Sequence, residues 1–171
     1  MLERGREMVE RLKGIIDMHI HSAPDIRERK LNDLELMEAA VEREVRAIVI
    51  KSHFVPTADR AYLVNQIKKE KYPNSDFEMF GGIALNQSVG GINPKAVEAA
   101  LKLGAKVVWL PTSTASNHFK KNGKEGGVEV VRDGKVVPEM KDVFELVKEY
   151  DAVLATGHIS PEECFRVTEA A

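Results

Sequence analysis

Cysteine is nearly absent: Cys164 is the only one in 171 residues. That excludes an intrachain disulfide and any cysteine-rich zinc knuckle, and it fits a cytoplasmic protein whose one thiol packs in a helix as a small hydrophobe. Long apolar runs are absent too, none approaching the ~20 residues that cross a bilayer. Aromatic residues make up 6% of the chain, and the net charge of −2 comes with no basic stripe interleaved with aromatics, which argues against a nucleic-acid surface. The opening MLERGREMVERLKG has no apolar signal core, so no secretion is expected. It reads as a short amphipathic helix with Leu2, Met8, Val9 and Leu12 on one side. At 43% hydrophobic, the chain suits one domain with its own core.

Histidine is scarce as well, with five in the chain, yet two stand one residue apart in DMHIHS. Their setting follows from the rhythm of the sequence. Short β-rich runs at 15–21, 47–53, 77–85, 106–112 and 152–158 alternate with helical periods at 31–44, 57–69, 94–103 and 140–150. A last helix starts at Ser160, with Pro161 at its first position and Glu163 at the capping-box position. Asn32 and Asn93 are further N-cap candidates, Asn93 followed by Pro94. Residues 113–139 break the rhythm. They are polar and glycine-rich, with a small hairpin turning at Asp133-Gly134. A βα connection this long is expected to be a lid. Strands alternating with helices mean a parallel sheet covered by helices, and both a doubly wound sheet and a (β/α)8 barrel fit the alternation. The count of about five units, against eight in a barrel of about 250 residues, reads as an incomplete barrel of TIM type, one domain over 1–171.

On this map His19 and His21 end the first strand, His53 the second and His158 the fifth, while His118 lies in the segment after the fourth. Catalytic groups of parallel α/β folds gather at the C-terminal ends of the strands. Residues i and i+2 of a strand share a face, so Asp17, His19 and His21 point one way and Met18 and Ile20 the other. The same pairing joins Lys51 to His53. Two imidazoles on one face can hold one ion, and Zn, Mn, Fe and Ni all accept imidazole nitrogen. Asp17 is a candidate for orienting a ligand. Lys51 follows an apolar IVI run, where lysine is rare unless paired or snorkelling at a sheet edge. Asn86, Gln87 and Asp25 are candidates for substrate binding, each with a loop turn or cap as the plain alternative.

The stretch DMHIHSAPD resembles the HxH signature of the amidohydrolase superfamily, the metal-dependent (β/α)8 hydrolases. The stretch DLELMEAAVEREVRAIVIKSHFVPT also resembles the PHP phosphoesterases, with KSH in place of their T-D-H-like triplet. The strings FGGIALNQSVGGINPKAVEAALKLGAKVVWLPT and VLATGHIS are similar to an uncharacterised branch of amidohydrolase-like proteins. The resemblance implies His19, His21 and His158 as metal ligands, with His53 matching a PHP ligand. It implies a divalent metal, zinc above all, and hydrolysis of a C–N or C–O bond in a small molecule by a metal-activated water. Lys51 and His118 are then the candidate catalytic side chains. Departures are clear. The fourth strand ends Trp109-Leu110-Pro111-Thr112 without the usual Lys or Glu, GGIALN lacks the PHP glutamate, and the superfamily's strand-six histidine and strand-eight aspartate find no counterpart. The alternatives are a PHP-like phosphoesterase and a non-catalytic module that binds a metal or small molecule. Two open sheet edges lead to the expectation of a homo-oligomer if these residues are the whole protein.

Overall fold

The structure, a computed structural model, describes residues 12–171, so all but the end of the expected N-terminal helix lies outside it. Within the described residues, seven strands and six α-helices follow the end of that helix. They are β1 (Ile16–Ile20), α1 (Asp33–Glu42), β2 (Ala47–Ile50), α2 (Ala58–Lys71), β3 (Glu78–Ala84), α3 (Pro94–Lys102), β4 (Ala105–Trp109), α4 (Ser116–Lys121), β5 (Val131–Arg132), β6 (Lys135–Val136), α5 (Glu139–Glu149), β7 (Val153–Ala155) and α6 (Pro161–Ala170). No described helix is long and apolar enough to cross a membrane.

The main sheet has the order β1-β2-β3-β4-β7, and every neighbouring pair is parallel. A doubly wound sheet reverses its strand order at a switch point. Here each strand is laid beside the one before it, which is barrel winding. The sheet curls into a half-barrel, consistent with an incomplete TIM-type barrel.

Alternation of side chains sorts the core. Ile48, Ile50 and Met79 face outward to Leu36, Met37, Ala61 and Val64 of α1 and α2. Ile83, Leu85, Val108 and Leu110 face outward to α3, α5 and α6. The opposite parity, Val49, Ala84, Val107 and Trp109, forms a small cluster on the concave face. Gly82 makes room for it, because a Cβ there would run into Val107 O and the Trp109 ring.

The helix starts match their sequence signals. Asn32 accepts from the N–H of Leu34 and Glu35 at 2.9 Å each, and Glu35 returns a bond to Asn32 N at 2.8 Å. Ser160 and Glu163 form the same box at α6. Caps of this kind are worth about 1 kcal/mol each. The 113–139 segment holds the expected antiparallel hairpin, β5–β6, with Asp133 and Gly134 both at positive φ. It also holds α4, six residues without a capping side chain, where the sequence pattern predicts no helix. His118 therefore sits in a helix rather than a loop. Strand β7 ends at Ala155, so His158 stands three residues beyond the strand on the turn that follows. Lys51 follows β2, an inner strand between β1 and β3, so it is not a snorkelling residue at an edge.

Candidate metal centre

All five histidines of the chain meet at the C-terminal mouth of the half-barrel. The ring centroids of His19 and His21 are 5.3 Å apart, His21 and His53 4.8 Å, His53 and His158 5.8 Å, and His158 and His118 5.1 Å. They form a continuous row from β1 across the mouth to α4. The row is closed at each end by a nitrogen pair: Nε2 of His19 lies 3.4 Å from Nε2 of His21, and Nδ1 of His158 lies 3.3 Å from Nδ1 of His118.

Each histidine is placed by local structure. Strand alternation turns His19 to the concave face, where its ring lies 5.9 Å from that of Trp109, and His21 stands one residue past the end of β1. Asp17 accepts from the His19 backbone N–H at 2.9 Å, so its contact is with the main chain and not with an imidazole. His53 is held by Thr112, whose Oγ1 is 2.7 Å from His53 Nδ1. Asn86 organises this region: its Nδ2 donates to His53 O at 2.8 Å and to Thr112 Oγ1 at 2.6 Å, and its Oδ1 accepts from the N–H of Thr112 at 2.8 Å and of Thr114 at 3.1 Å. Both amide hydrogens and the carbonyl oxygen are thus engaged by the scaffold, which makes the buried Asn86 a positioning residue. His158 donates its N–H to Pro111 O at 2.9 Å and its carbonyl accepts from Asn117 Nδ2 at 2.8 Å. The turn needs Gly157, whose φ is +65° and whose Cβ would strike Leu110 O and Pro111 O.

The remaining substrate-binding candidates separate. Gln87 has an exposed side chain on a one-turn helix, and its backbone N–H donates to Thr114 Oγ1 at 2.9 Å. Asp25 accepts from Arg27 N–H at 3.1 Å and from Arg29 Nη2 at 2.9 Å. Burial alone would raise its pKa, but the Arg27 amide and the Arg29 guanidinium hold it below the usual carboxylate value. Asp25 therefore braces its own loop.

Burial first, and positive charge second, favour the neutral form of His19, His21, His53 and His158. Burial, with the positive charges of Arg29 and Lys51, pushes His21 down to about 4. Burial and Lys51 do the same to His53, also to about 4. His19 and His158 are lowered by burial first and Lys51 second. A neutral imidazole has one nitrogen lone pair free, which is what a metal ligand requires. Lys51 is 2% exposed and is pushed down to about 8 by burial. Its Nζ lies 3.3 Å from His19 Nε2 and 5.0 Å from the Trp109 ring centroid, and no carboxylate among the described residues pairs with it.

The donor set fits a divalent ion in one respect. Two nitrogens bound to one tetrahedral zinc at 2.0–2.1 Å stand about 3.3–3.4 Å apart, which is the spacing of both nitrogen pairs. His21 Nδ1, the ring nitrogen away from that pair, is buried without a hydrogen-bond partner. Among the described residues, no group of three or more His, Cys, Asp or Glu side chains is placed to hold a metal ion by itself. The end of β4 supplies Trp109 and Thr112 in place of a carboxylate or carbamate.

Thr112, Asn117 and Trp109 were not singled out from the sequence as site residues. Strand parity places Trp109 on the concave face. The signal for Thr112 is only a hydroxyl at a strand end, and Asn117 gives none beyond its place beside His118.

Residues 14–171 match the model of a Family of unknown function (DUF6282). No curated protein matches the chain significantly.

Proposed function

The chain belongs to the Family of unknown function (DUF6282), and we propose that it is a metal-dependent hydrolase of amidohydrolase type, cleaving a C–N or C–O bond in a small molecule. The observation that carries this reading is the 3.4 Å Nε2–Nε2 spacing of His19 and His21 at the mouth of a parallel half-barrel. His19 and His21 would hold the ion, zinc above all and Mn, Fe or Ni as alternatives, with His53 and His158 beside them. Bound there, the ion supplies Lewis-acid polarisation of the scissile group and an activated water at neutral pH.

The chain's own residues account for the rest. Lys51 Nζ, beside His19 and under the Trp109 ring, is placed to donate to negative charge that develops on the substrate. The concave cluster of Val49, Ala84, Val107 and Trp109 keeps water from the floor of the site. Thr112 and Asn86 fix the His53 ring, and Gly157 and Asn117 fix His158. Gln87, exposed at the rim, is the free side chain for substrate contact.

One observation favours phosphoester hydrolysis as a second reading. The charge around the row is positive: Lys51 and Arg27 both act on His53, and Arg27 lies 6.0 Å over the Phe54 ring with no ion pair among the described residues. Anionic substrates suit such a mouth. The test is turnover of a panel of amides, lactones and phosphomonoesters by zinc- and manganese-loaded protein. Hydrolysis of an amide or lactone that disappears in Lys51→Ala supports the first reading, and phosphate release alone supports the second. A metal-loaded, folded protein that turns over none of these classes would overturn both.

A further inference from the structure

The proton on His53 can be placed from the hydrogen bonds around it. Asn86 Oδ1 meets the backbone N–H of Thr112 at 2.8 Å and of Thr114 at 3.1 Å, and a main-chain N–H only donates. That fixes which end of the Asn86 amide is oxygen, so the other end, Nδ2, is the donor. Its two hydrogens go to His53 O at 2.8 Å and to Thr112 Oγ1 at 2.6 Å. Thr112 Oγ1 therefore already accepts a bond, and its own hydrogen needs an acceptor inside a fully buried residue. Among the described residues, His53 Nδ1 is the only other partner of Oγ1, at 2.7 Å. If Nδ1 carried the proton and donated it, the threonine hydrogen would be buried with no acceptor, a costly state. An imidazolium would leave it so as well. The arrangement that satisfies every group runs from Asn86 Nδ2–H to Thr112 Oγ1, and from Thr112 O–H to the lone pair of His53 Nδ1. A neutral imidazole whose Nδ1 accepts carries its proton on Nε2.

We infer that His53 is a hydrogen-bond donor to the substrate, through Nε2–H, and not a ligand of the metal. The substrate role rests on the hydrolytic reading of the mouth, and it departs from the expectation that His53 matches a PHP ligand. A ligand needs a lone pair on the nitrogen that meets the ion. The lone pair of His53 is spent on Thr112, on the opposite side of the ring from Nε2. Among the described residues, His21 Nδ1 is the one buried side-chain nitrogen or oxygen without a partner, so Nε2 of His53, which has none either, stays open to the mouth. The ring stands between His21 at 4.8 Å and His158 at 5.8 Å, beside the pair proposed to hold the ion. An N–H there suits the oxygen of the scissile group, where negative charge builds when a carbonyl carbon or a phosphorus is attacked. The tautomer is held by the sheet itself. His53, Asn86 and Thr112 follow β2, β3 and β4, three neighbouring strands. Asn86 and Thr112 thus have a task beyond stability, because they select which nitrogen of His53 carries the proton.

The first test is long-range proton–nitrogen NMR of the histidine side chains in metal-free wild type, where the two tautomers give distinct patterns. His53 is expected with Nε2 protonated and Nδ1 unprotonated, and the reverse pattern would overturn the inference. Zn2+ is then added. The His19 and His21 resonances should move while His53 keeps its Nε2 proton. Loss of that proton at saturation would make His53 a ligand and overturn the inference. The second test compares Zn2+-loaded wild type, His53→Leu and His53→Gln on the amides, lactones and phosphomonoesters, with far-UV circular dichroism to check folding. All three should hold the same amount of metal. In His53→Leu kcat should fall about 100-fold with KM little changed, as when one donor to a developing oxyanion is removed. His53→Gln, which still offers an N–H, should recover part of that loss. A His53→Leu protein that loses its metal, or keeps the wild-type kcat, would overturn the inference and leave the hydrolase reading standing. A wild type that shows the donor tautomer and binds Zn2+ but hydrolyses none of these substrates would overturn the hydrolase reading, and the substrate role of His53 with it.

Discussion

Lys51 Nζ stands 3.3 Å from His19 Nε2 with no carboxylate to answer it, although the side chain is 2% exposed. A buried ammonium without a counter-charge weakens a fold, which makes Lys51 a candidate for a functional role at the mouth. Replacing it by methionine, similar in volume and uncharged, is expected to leave the protein as stable or stabilise it by about 1–3 kcal/mol. The same change should lower turnover at least ~100-fold if Lys51 stabilises charge in the transition state. Urea unfolding beside steady-state kinetics checks both; a variant that loses stability and keeps its rate contradicts the assignment.

The pH dependence of stability carries two signatures. His21 and His53 fall to about 4 in the folded protein, below the ordinary value of 6.5. The unfolded chain thus binds more protons between those values, and stability should fall as pH drops from about 6.5 towards 4. Lys51, lowered to about 8 from 10.5, acts at the other end. There the unfolded chain again binds more protons, so stability should rise as pH climbs from about 8 towards 10.5. Urea midpoints of the metal-free protein across this range measure both slopes. Replacing His21 by Asn should flatten the acid one.

Asn86 joins His53, Thr112 and Thr114 through its one amide. Truncating it to alanine leaves several buried groups unpaired. A loss of about 2–4 kcal/mol is expected, readable as a lower urea midpoint. Asn86→Asp keeps the acceptor but brings a charge and loses the donors, so it should not rescue.

Thr112→Val removes the hydroxyl on His53 Nδ1 while keeping the shape. About 1–2 kcal/mol of stability should go. The His53 ring is then free to turn, so the side-chain nitrogen NMR signals of His53 should broaden or shift, which a purely structural hydroxyl would not cause.

Much of the site was legible in the sequence because strand parity is rigid. The i, i+2 spacing places Asp17 and His19 on one side of β1, and His21, Lys51 and His53, just past the ends of β1 and β2, reach the same mouth beside His19. The caps at Asn32, Asn93 and Ser160 were equally readable, because each is a local bond within three residues. Sheet closure was less so, since barrel and doubly wound folds share one alternation and differ only in strand order. His118 was hardest. Helix α4 has six residues and no capping side chain, and it exists because Asn117 reaches His158, forty-one positions away. Asn86 showed the opposite error: a polar residue after a strand looked free for substrate, and its partners, all distant in sequence, engage it fully.

The most direct measurement of the central claim is metal content by mass spectrometry of protein purified without chelator, beside the His19→Ala/His21→Ala pair. The account predicts at least about one equivalent of Zn, Mn, Fe or Ni in wild type and a clear loss in the variant, because it takes those two imidazoles as ligands of one ion. A wild type free of metal even after reconstitution, or a variant that keeps the wild-type amount, would contradict it.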